Sequence, residues 1–220
     1  MSEIIPTVVP KSSDAIAELA SRFEGVAPTL HIDATDGDFA FPTTWLPAAG
    51  AKLPQFDGIY EAHVMVRDAR RHGEMFARAG AWRIIAHAES LGTADEARRT
   101  IDLWRVCGAK ESGAALLLGS PIDALEKIAP LVDCIHVMTI AKVGAQGAKF
   151  DERAVQRVRD VHARFPLVTI SVDGGVNETN IAELSQAGAT RFCVGAALTQ
   201  ATDPLAQYQV LQSLIDNAIQ

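Results

Sequence analysis

Cysteine is scarce in this chain and badly placed for cross-linking. Cys107, Cys134 and Cys193 are odd in number, far apart and without C-x-x-C spacing, which argues against both a disulfide framework and a structural zinc knuckle. They read as buried thiols in a reducing compartment. Excess positive charge is missing as well: 20 Lys+Arg against 27 Asp+Glu leave a net charge of -7, and the basic residues are scattered, so the attraction that nucleic acid requires is absent. No uncharged apolar run approaches the ~20 residues of a membrane helix, and the N-terminal MSEIIPTVVPKSSD carries no basic n-region. A cytoplasmic protein with neither a membrane nor a nucleic-acid partner is expected. Low-complexity tracts, solenoid-scale repeats and Pro/Ser-rich linkers are also lacking. What remains is 220 residues, 48% hydrophobic and 21% charged, enough for one compact domain over 1–220 with a substantial core.

Short β-branched runs alternate with longer helical patterns along the whole chain. Eight candidate strands fall at 4–9, 29–34, 59–66, 82–87, 114–118, 134–139, 167–172 and 191–194. Between them, 14–23, 70–79, 93–106, 122–131, 151–165 and 177–187 read as helices, and 205–219 closes the chain. Thr93-Ala94-Asp95-Glu96 has the form of a capping box, Pro121 that of a first-turn proline, and Gly188 that of a helix stop. Eight βα units in 220 residues fit a single α/β domain, a (β/α)8 TIM barrel, better than a doubly wound sheet of about five to seven strands. The Pro- and Ala-rich segment 41–56 is the irregular part.

In such a barrel the working side chains sit at the C-terminal strand ends, where the βα loops form the open face. Strand two ends in Leu30-His31-Ile32-Asp33-Ala34, and the two-residue period puts His31 and Asp33 on one face. His63 reaches a comparable height on strand three, and Asp173 faces them from strand seven. Two imidazoles and two carboxylates converging on one point form a ligand set for one divalent metal ion, Zn(II), Fe(II), Mn(II) or Co(II). His87, at the end of strand four, reads as orienting its neighbours rather than as a fifth ligand. His72 and His162 fall in helices and His136 lies inside strand six, so these three read as solvated or hydrogen-bonded. Arg67–Arg71 reads as a solvated helix start, and Asp36 and Asp38 as turn chemistry. Glycines recur after strands six to eight, at Gly144 and Gly147, Gly174 and Gly175, and Gly195. They serve either as tight turns or as an amide cradle for the phosphate of a substrate.

These residues and their order resemble the ribulose-phosphate 3-epimerase family over most of the chain. The family's H-x-D-x-M-D-G-x-F is echoed from His31 to Phe39, its H-x-M-V in His63-Val64-Met65-Val66, V-M-[TS]-V in Val137-Met138-Thr139-Ile140, and V-D-G-G-[IV] in Val172-Asp173-Gly174-Gly175-Val176. Asn180-Ile181, Ala187-Gly188-Ala189 and Gly195-Ala196-Ala197 fall in register with N-I, A-G-A and G-S-A. The resemblance implies a divalent metal on His31, Asp33, His63 and Asp173, with Asp33 and Asp173 also the catalytic acid/base pair that inverts C3 of a ketopentose phosphate. It further implies substrate contacts from Thr7, Met65 and Met138, from Gly144, Gln146 and Gly147, and from Gly174, Gly175, Gly195 and Ala196. A homo-oligomer is implied too, since family members are commonly dimers or hexamers.

The departures cluster on substrate positions. Thr35 replaces the first motif's methionine, and Lys142-Val143-Gly144-Ala145-Gln146-Gly147-Ala148 replaces P-G-F-G-G-Q with a loop one residue longer. Ala196 stands for a phosphate-contacting serine, with Lys142 as its expected substitute, and Thr7 for a serine ending strand one. The expected substrate is therefore D-ribulose 5-phosphate, converted to D-xylulose 5-phosphate. The alternatives are a related ketose phosphate such as allulose 6-phosphate, or a non-catalytic sugar-phosphate-binding barrel. A Schiff-base aldolase is disfavoured, because no lysine sits suitably at a strand end.

Overall fold

A computed structural model of the chain describes residues 2–144 and 147–218. Eight parallel strands close into a barrel in chain order: β1 (Glu3–Val8), β2 (Thr29–Thr35), β3 (Ile59–Met65), β4 (Arg83–His87), β5 (Glu111–Leu116), β6 (Cys134–Met138), β7 (Thr169–Asp173) and β8 (Arg191–Val194). Outside them lie α1 (Ser13–Phe23), α2 (Ala69–Ala79), α3 (Ala88–Leu91), α4 (Ala94–Cys107), α5 (Arg153–Arg164), α6 (Ile181–Gln186), α7 (Ala196–Thr199) and α8 (Pro204–Ala218). The expected (β/α)8 barrel is therefore the observed fold. Among the described residues, no helix is long and apolar enough to cross a membrane.

Strand alternation sorts the side chains into two layers. On β3, Tyr60, Ala62 and Val64 join the large apolar layer under the helices, together with Ile32 and Ala34 of β2 and Ile84 and Ala86 of β4. Glu61 and His63 take the opposite face and point inward. Inside the barrel a separate apolar cluster is small, Ile85, Ala115 and Cys134, so much of the interior is polar.

The helices end where local chemistry ends them. Thr93 Oγ1 accepts from the Glu96 amide while Glu96 Oε2 accepts from the Thr93 amide at 2.7 Å, which is the expected capping box opening α4. Asp68 caps α2 by accepting from the Arg71 amide at 3.0 Å. The helix expected over 122–131 is instead two 3-10 turns, Ile122–Leu125 and Ala129–Leu131. Pro130 has no amide hydrogen and its ring clashes with the carbonyl four residues earlier, so one continuous α-helix is excluded. The helix expected from 177 begins only at Ile181, because Asn177 and Asn180 spend their side chains on local backbone, both donating to the Gly175 carbonyl. Strand β5 starts three residues earlier than expected, at Glu111, whose charge is answered by Arg83 on the neighbouring strand. Strand β7 starts later, at Thr169, and leaves Leu167 98% exposed.

Candidate active site

Register builds the site from the bottom of the barrel upward. Adjacent strands align His31 with Glu61, Glu61 with Arg83, and Arg83 with Glu111, one residue per strand from β2 to β5. The contacts follow that row. Glu61 Oε1 lies 2.6 Å from His31 Nδ1, Glu61 Oε2 accepts from Arg83, and Arg83 Nε donates to Glu111 at 2.8 Å. Fully buried Glu and Arg are tolerated only when paired. Although burial alone would raise the Glu61 carboxyl, the hydrogen bond and charge of His31 and the charge of Arg83 hold it well below the usual carboxylate range. An ionised Glu61 can only accept, so His31 donates through Nδ1 and points Nε2 up at Asp33. Burial would lower this imidazole, but Cys193 and Asp33 beside it raise it well above its ordinary value.

One level higher, Asp33 pairs in register with His63, and Met138 with Asp173. Asp33 Oδ1 lies 3.2 Å from His31 Nε2 and 3.1 Å from His63 Nδ1, while Asp173 Oδ2 lies 3.6 Å from His63 Nδ1. The structure thus sets Asp33 against His31 and His63, and Asp173 against His63; the donors that all lie within 4.8 Å of one another are those of His31, His63, His136 and Asp173, and Asp33 is not among them. His63 Nε2 lies 3.0 Å from His87 Nε2, and His87 Nδ1 lies 3.5 Å from Glu89. Burial pushes the His87 imidazole down to about 4, so it is neutral near pH 7 and accepts from His63. His87 therefore orients His63 from behind, as expected.

Burial alone would raise Asp173, but the imidazoles of His136 and His63 beside it hold it well below the ordinary carboxylate range. Asp33 is also lowered: burial and the charge of Asp173 oppose ionisation, and His31 and His63 outweigh them. Both carboxylates are ionised and able to accept a proton.

Of the two readings of His136, solvated or hydrogen-bonded, the second holds: its Nδ1 lies 3.0 Å from Ser171 Oγ, and the ring is shut off from solvent. It stacks on His31 with centroids 5.5 Å apart, and lies 4.6 Å from the His63 ring. Donor atoms of His31, His63, His136 and Asp173 all fall within 4.8 Å of one another, a buried cluster fit to hold a metal ion. The sequence reading gave Glu61 no role and did not place His136 beside His31 and His63. The available signal was strand period: Glu61 precedes His63 by two residues, and His136 precedes Met138 by two.

A cavity of about 560 Å³ opens above this cluster, with Asp33 and Asp173 on its lining. Thr7, Met65, Met138, Gly144, Gly147, Gly174, Gly175, Gly195 and Ala196 line it as well, whereas Gln146 lies outside the described residues. Gly174 and Gly175 have φ of 115° and 67°, and a Cβ on Gly175 would sit 2.6 Å from the Phe150 amide nitrogen, so the close approach of the 148–150 strap to β7 requires glycine. Lysine also lines the cavity, but it is Lys149; Lys142, expected there, is exposed and absent from the lining among the described residues. Nothing in the sequence distinguished these two lysines of one loop.

Thr35 is not among the cavity residues either. Its hydroxyl donates to the Pro42 carbonyl and its amide donates to Thr44 Oγ1 at 2.9 Å, tying down the segment after β2. Asp36 performs the expected turn chemistry, accepting from the amides of Asp38, Phe39 and Arg67.

A closed barrel with carboxylates, imidazoles and glycine loops gathered at the C-terminal mouth defines the class, a TIM-barrel enzyme. Comparison supplies the family. Residues 3–199 match the Ribulose-phosphate 3 epimerase family, and the chain belongs to it; its curated relatives are named as epimerases, enzymes of the isomerase class. Ribulose-phosphate 3-epimerase of Aquifex aeolicus is 32% identical over 216 residues, covering 92% of this chain and 91% of that protein. The Mycobacterium tuberculosis enzyme of the same name is 29% identical over 214 residues, covering 95% and 91%. In fold, a crystal structure of KGPDC from Streptococcus mutans superposes with a TM-score of 0.76 at 14% identity, covering 99% of this chain and 98% of that one.

Proposed function

We propose that this chain is a divalent-metal-dependent epimerase that inverts C3 of D-ribulose 5-phosphate to give D-xylulose 5-phosphate. The observation that carries the reading is the placement of two ionised carboxylates, Asp33 and Asp173, on the lining of one cavity and against the same His63 nitrogen. His31, Asp33, His63 and Asp173 hold the cation, and their chemistry suits Zn(II), Fe(II), Mn(II) or Co(II). When bound, the cation supplies positive charge that stabilises the oxygens of the enediolate.

The chain's own groups move the protons. One of Asp33 and Asp173 takes the proton from C3, and the C–H electron pair becomes the C2–C3 double bond as the C2 carbonyl becomes an enolate. The other carboxyl, ionised at rest, first takes a proton from solvent and then gives it to the opposite face of C3 as the enolate electrons re-form the C2 carbonyl, which inverts that centre. Met65 and Met138 line the cavity with apolar surface and limit water at the reacting carbon. The glycine loops at Gly174-Gly175 and at Gly195-Ala196 present backbone amides to the phosphate, with Thr7, Gly144, Gln146 and Gly147 completing the substrate contacts. Residues 1–220 act as one catalytic barrel, cytoplasmic and homo-oligomeric as in the family it resembles.

The altered loop from Lys142 to Ala148 favours allulose 6-phosphate as the second reading. Incubation with each sugar phosphate in deuterated water separates the two. Deuterium at C3 of ribulose 5-phosphate, lost in Asp173→Asn, is the expected result. Incorporation only into the hexulose phosphate overturns the pentose assignment, and turnover unchanged by Asp173→Asn overturns the two-base chemistry.

A further inference from the structure

We propose that His136 is a fifth ligand of the cation, bound through Nε2, so that the site presents three imidazoles and two carboxylates. The inference rests on the metal reading above and adds a residue to it. Three independent features of the geometry converge on this role.

The first is an unanswered atom. His136 Nε2 is buried without a hydrogen-bond partner, and it faces Asp173 Oδ2 at 3.6 Å. A carboxylate and an imidazole nitrogen at that separation share no good hydrogen bond, yet both are directed at the space between them. A cation there satisfies both.

The second is the way each imidazole is held. His31 Nδ1 is engaged by Glu61, His63 Nε2 by His87, and His136 Nδ1 by Ser171 Oγ at 3.0 Å. In each ring one nitrogen is occupied by a partner from an adjacent strand and the other faces the carboxylates, His31 Nε2 and His63 Nδ1 against Asp33 Oδ1 and His136 Nε2 without a partner. Fixing one ring nitrogen in this way is how proteins set the tautomer and aim of a ligating histidine. Register supplies the Ser171 contact directly, since His136 and Ser171 are aligned across β6 and β7.

The third is compactness. The donors of His31, His63, His136 and Asp173 lie within 4.8 Å of one another, close to the span of ligands set about 2.0–2.2 Å from a common ion. His136 is inside that span.

A third imidazole changes the metal preferred. Nitrogen donors favour Zn(II), Co(II) and Fe(II), whereas Mn(II) is better suited to carboxylate and water. The site should therefore select against Mn(II) more strongly than a site with two histidines.

The test uses the full chain, stripped of metal by chelation and titrated with Co(II), with visible absorption reporting the ligand field and Zn(II) and Mn(II) as competitors. His136→Leu is expected to bind Co(II) on the order of 100-fold more weakly, to shift the absorption band, and to lose discrimination against Mn(II); Ser171→Ala should lose about 10-fold. His136→Asn, which matches Nδ1 but places no atom at Nε2, should behave as the Leu variant. X-ray absorption at cobalt in the wild-type protein should count three imidazoles whether or not the variants fold. A count of two, or a folded variant with wild-type affinity and spectrum, overturns the role of His136 alone. Failure of the wild type to take up Co(II) overturns the metal reading and this inference together.

Discussion

Glu61 Oε1 and His31 Nδ1 lie 2.6 Å apart, with both side chains fully buried. Because Arg83 binds the other Glu61 oxygen, this one carboxylate both aims a candidate ligand and neutralises a buried guanidinium. Glu61→Gln should lower metal affinity by roughly 10–100-fold through loss of the anionic acceptor. It should also cost about 3 kcal/mol of stability, since Arg83 keeps only Glu111. Metal titration and denaturant unfolding measure the two effects separately. Unchanged affinity would show that Glu61 does not govern His31.

Thr35 bonds the Pro42 carbonyl from a fully buried position. Thr35→Val keeps the shape and removes the donor; Pro42 is exposed, so water can reach its carbonyl and the loss should be that of one net hydrogen bond, about 0.5–1.5 kcal/mol. Faster amide exchange across 36–58 should accompany the loss. Wild-type stability and exchange would mean that the hydroxyl does not anchor this segment.

Ala196 lines the cavity at the start of α7 without a hydroxyl. Ala196→Ser adds a donor beside the expected phosphate, and a hydrogen bond to a charged group contributes about 1.5–3 kcal/mol. KM for the sugar phosphate should fall by roughly 10–100-fold with kcat unchanged, the signature of added uniform binding. Steady-state kinetics decide it, and a KM that does not move would place the phosphate elsewhere.

Gly73 sits inside α2, where alanine would ordinarily gain about 1 kcal/mol of helix propensity. A Cβ at this position would collide with the Trp104 indole of α4, and overpacking of that kind costs about 1–3 kcal/mol. Gly73→Ala should therefore destabilise the protein, and Trp104→Phe in the same background should recover part of the loss. A thermal melt higher for Gly73→Ala alone would show that the indole moves aside freely.

Glu89 provides the pH test. Burial by itself raises its carboxyl, but the His87 imidazole beside it and the hydrogen bond from the Ser120 hydroxyl bring it down from 4.5 to about 2. A carboxylate lowered on folding contributes stability that is fully present above its unfolded value and is lost as pH falls through the folded one. Its contribution should therefore vanish between about pH 4.5 and pH 2. Glu89→Gln should flatten the stability profile over that interval, as followed by unfolding at stepped pH; an unaltered slope there would remove Glu89 from the account.

The chain's local patterns were enough to read the barrel and much of its mouth. Period-two strands, glycine stops and a capping box are written within a few residues of each other, so eight βα units and the inward aim of His31, Asp33, His63 and Asp173 were legible without coordinates. Local reading failed where one residue overruled its neighbours, as Pro130 does in the expected helix over 122–131. It also failed where function depends on residues far apart in sequence. Which inward side chains share a height is decided by register between strands, and that register placed Glu61 beside His31, Arg83 beside Glu61, and Ser171 behind His136. Composition and motif determined what kind of barrel this is. Closure of the sheet alone decided which buried charges pair, which imidazoles meet, and which lysine reaches the cavity, because those choices depend on distances that exist only once all eight strands are in place.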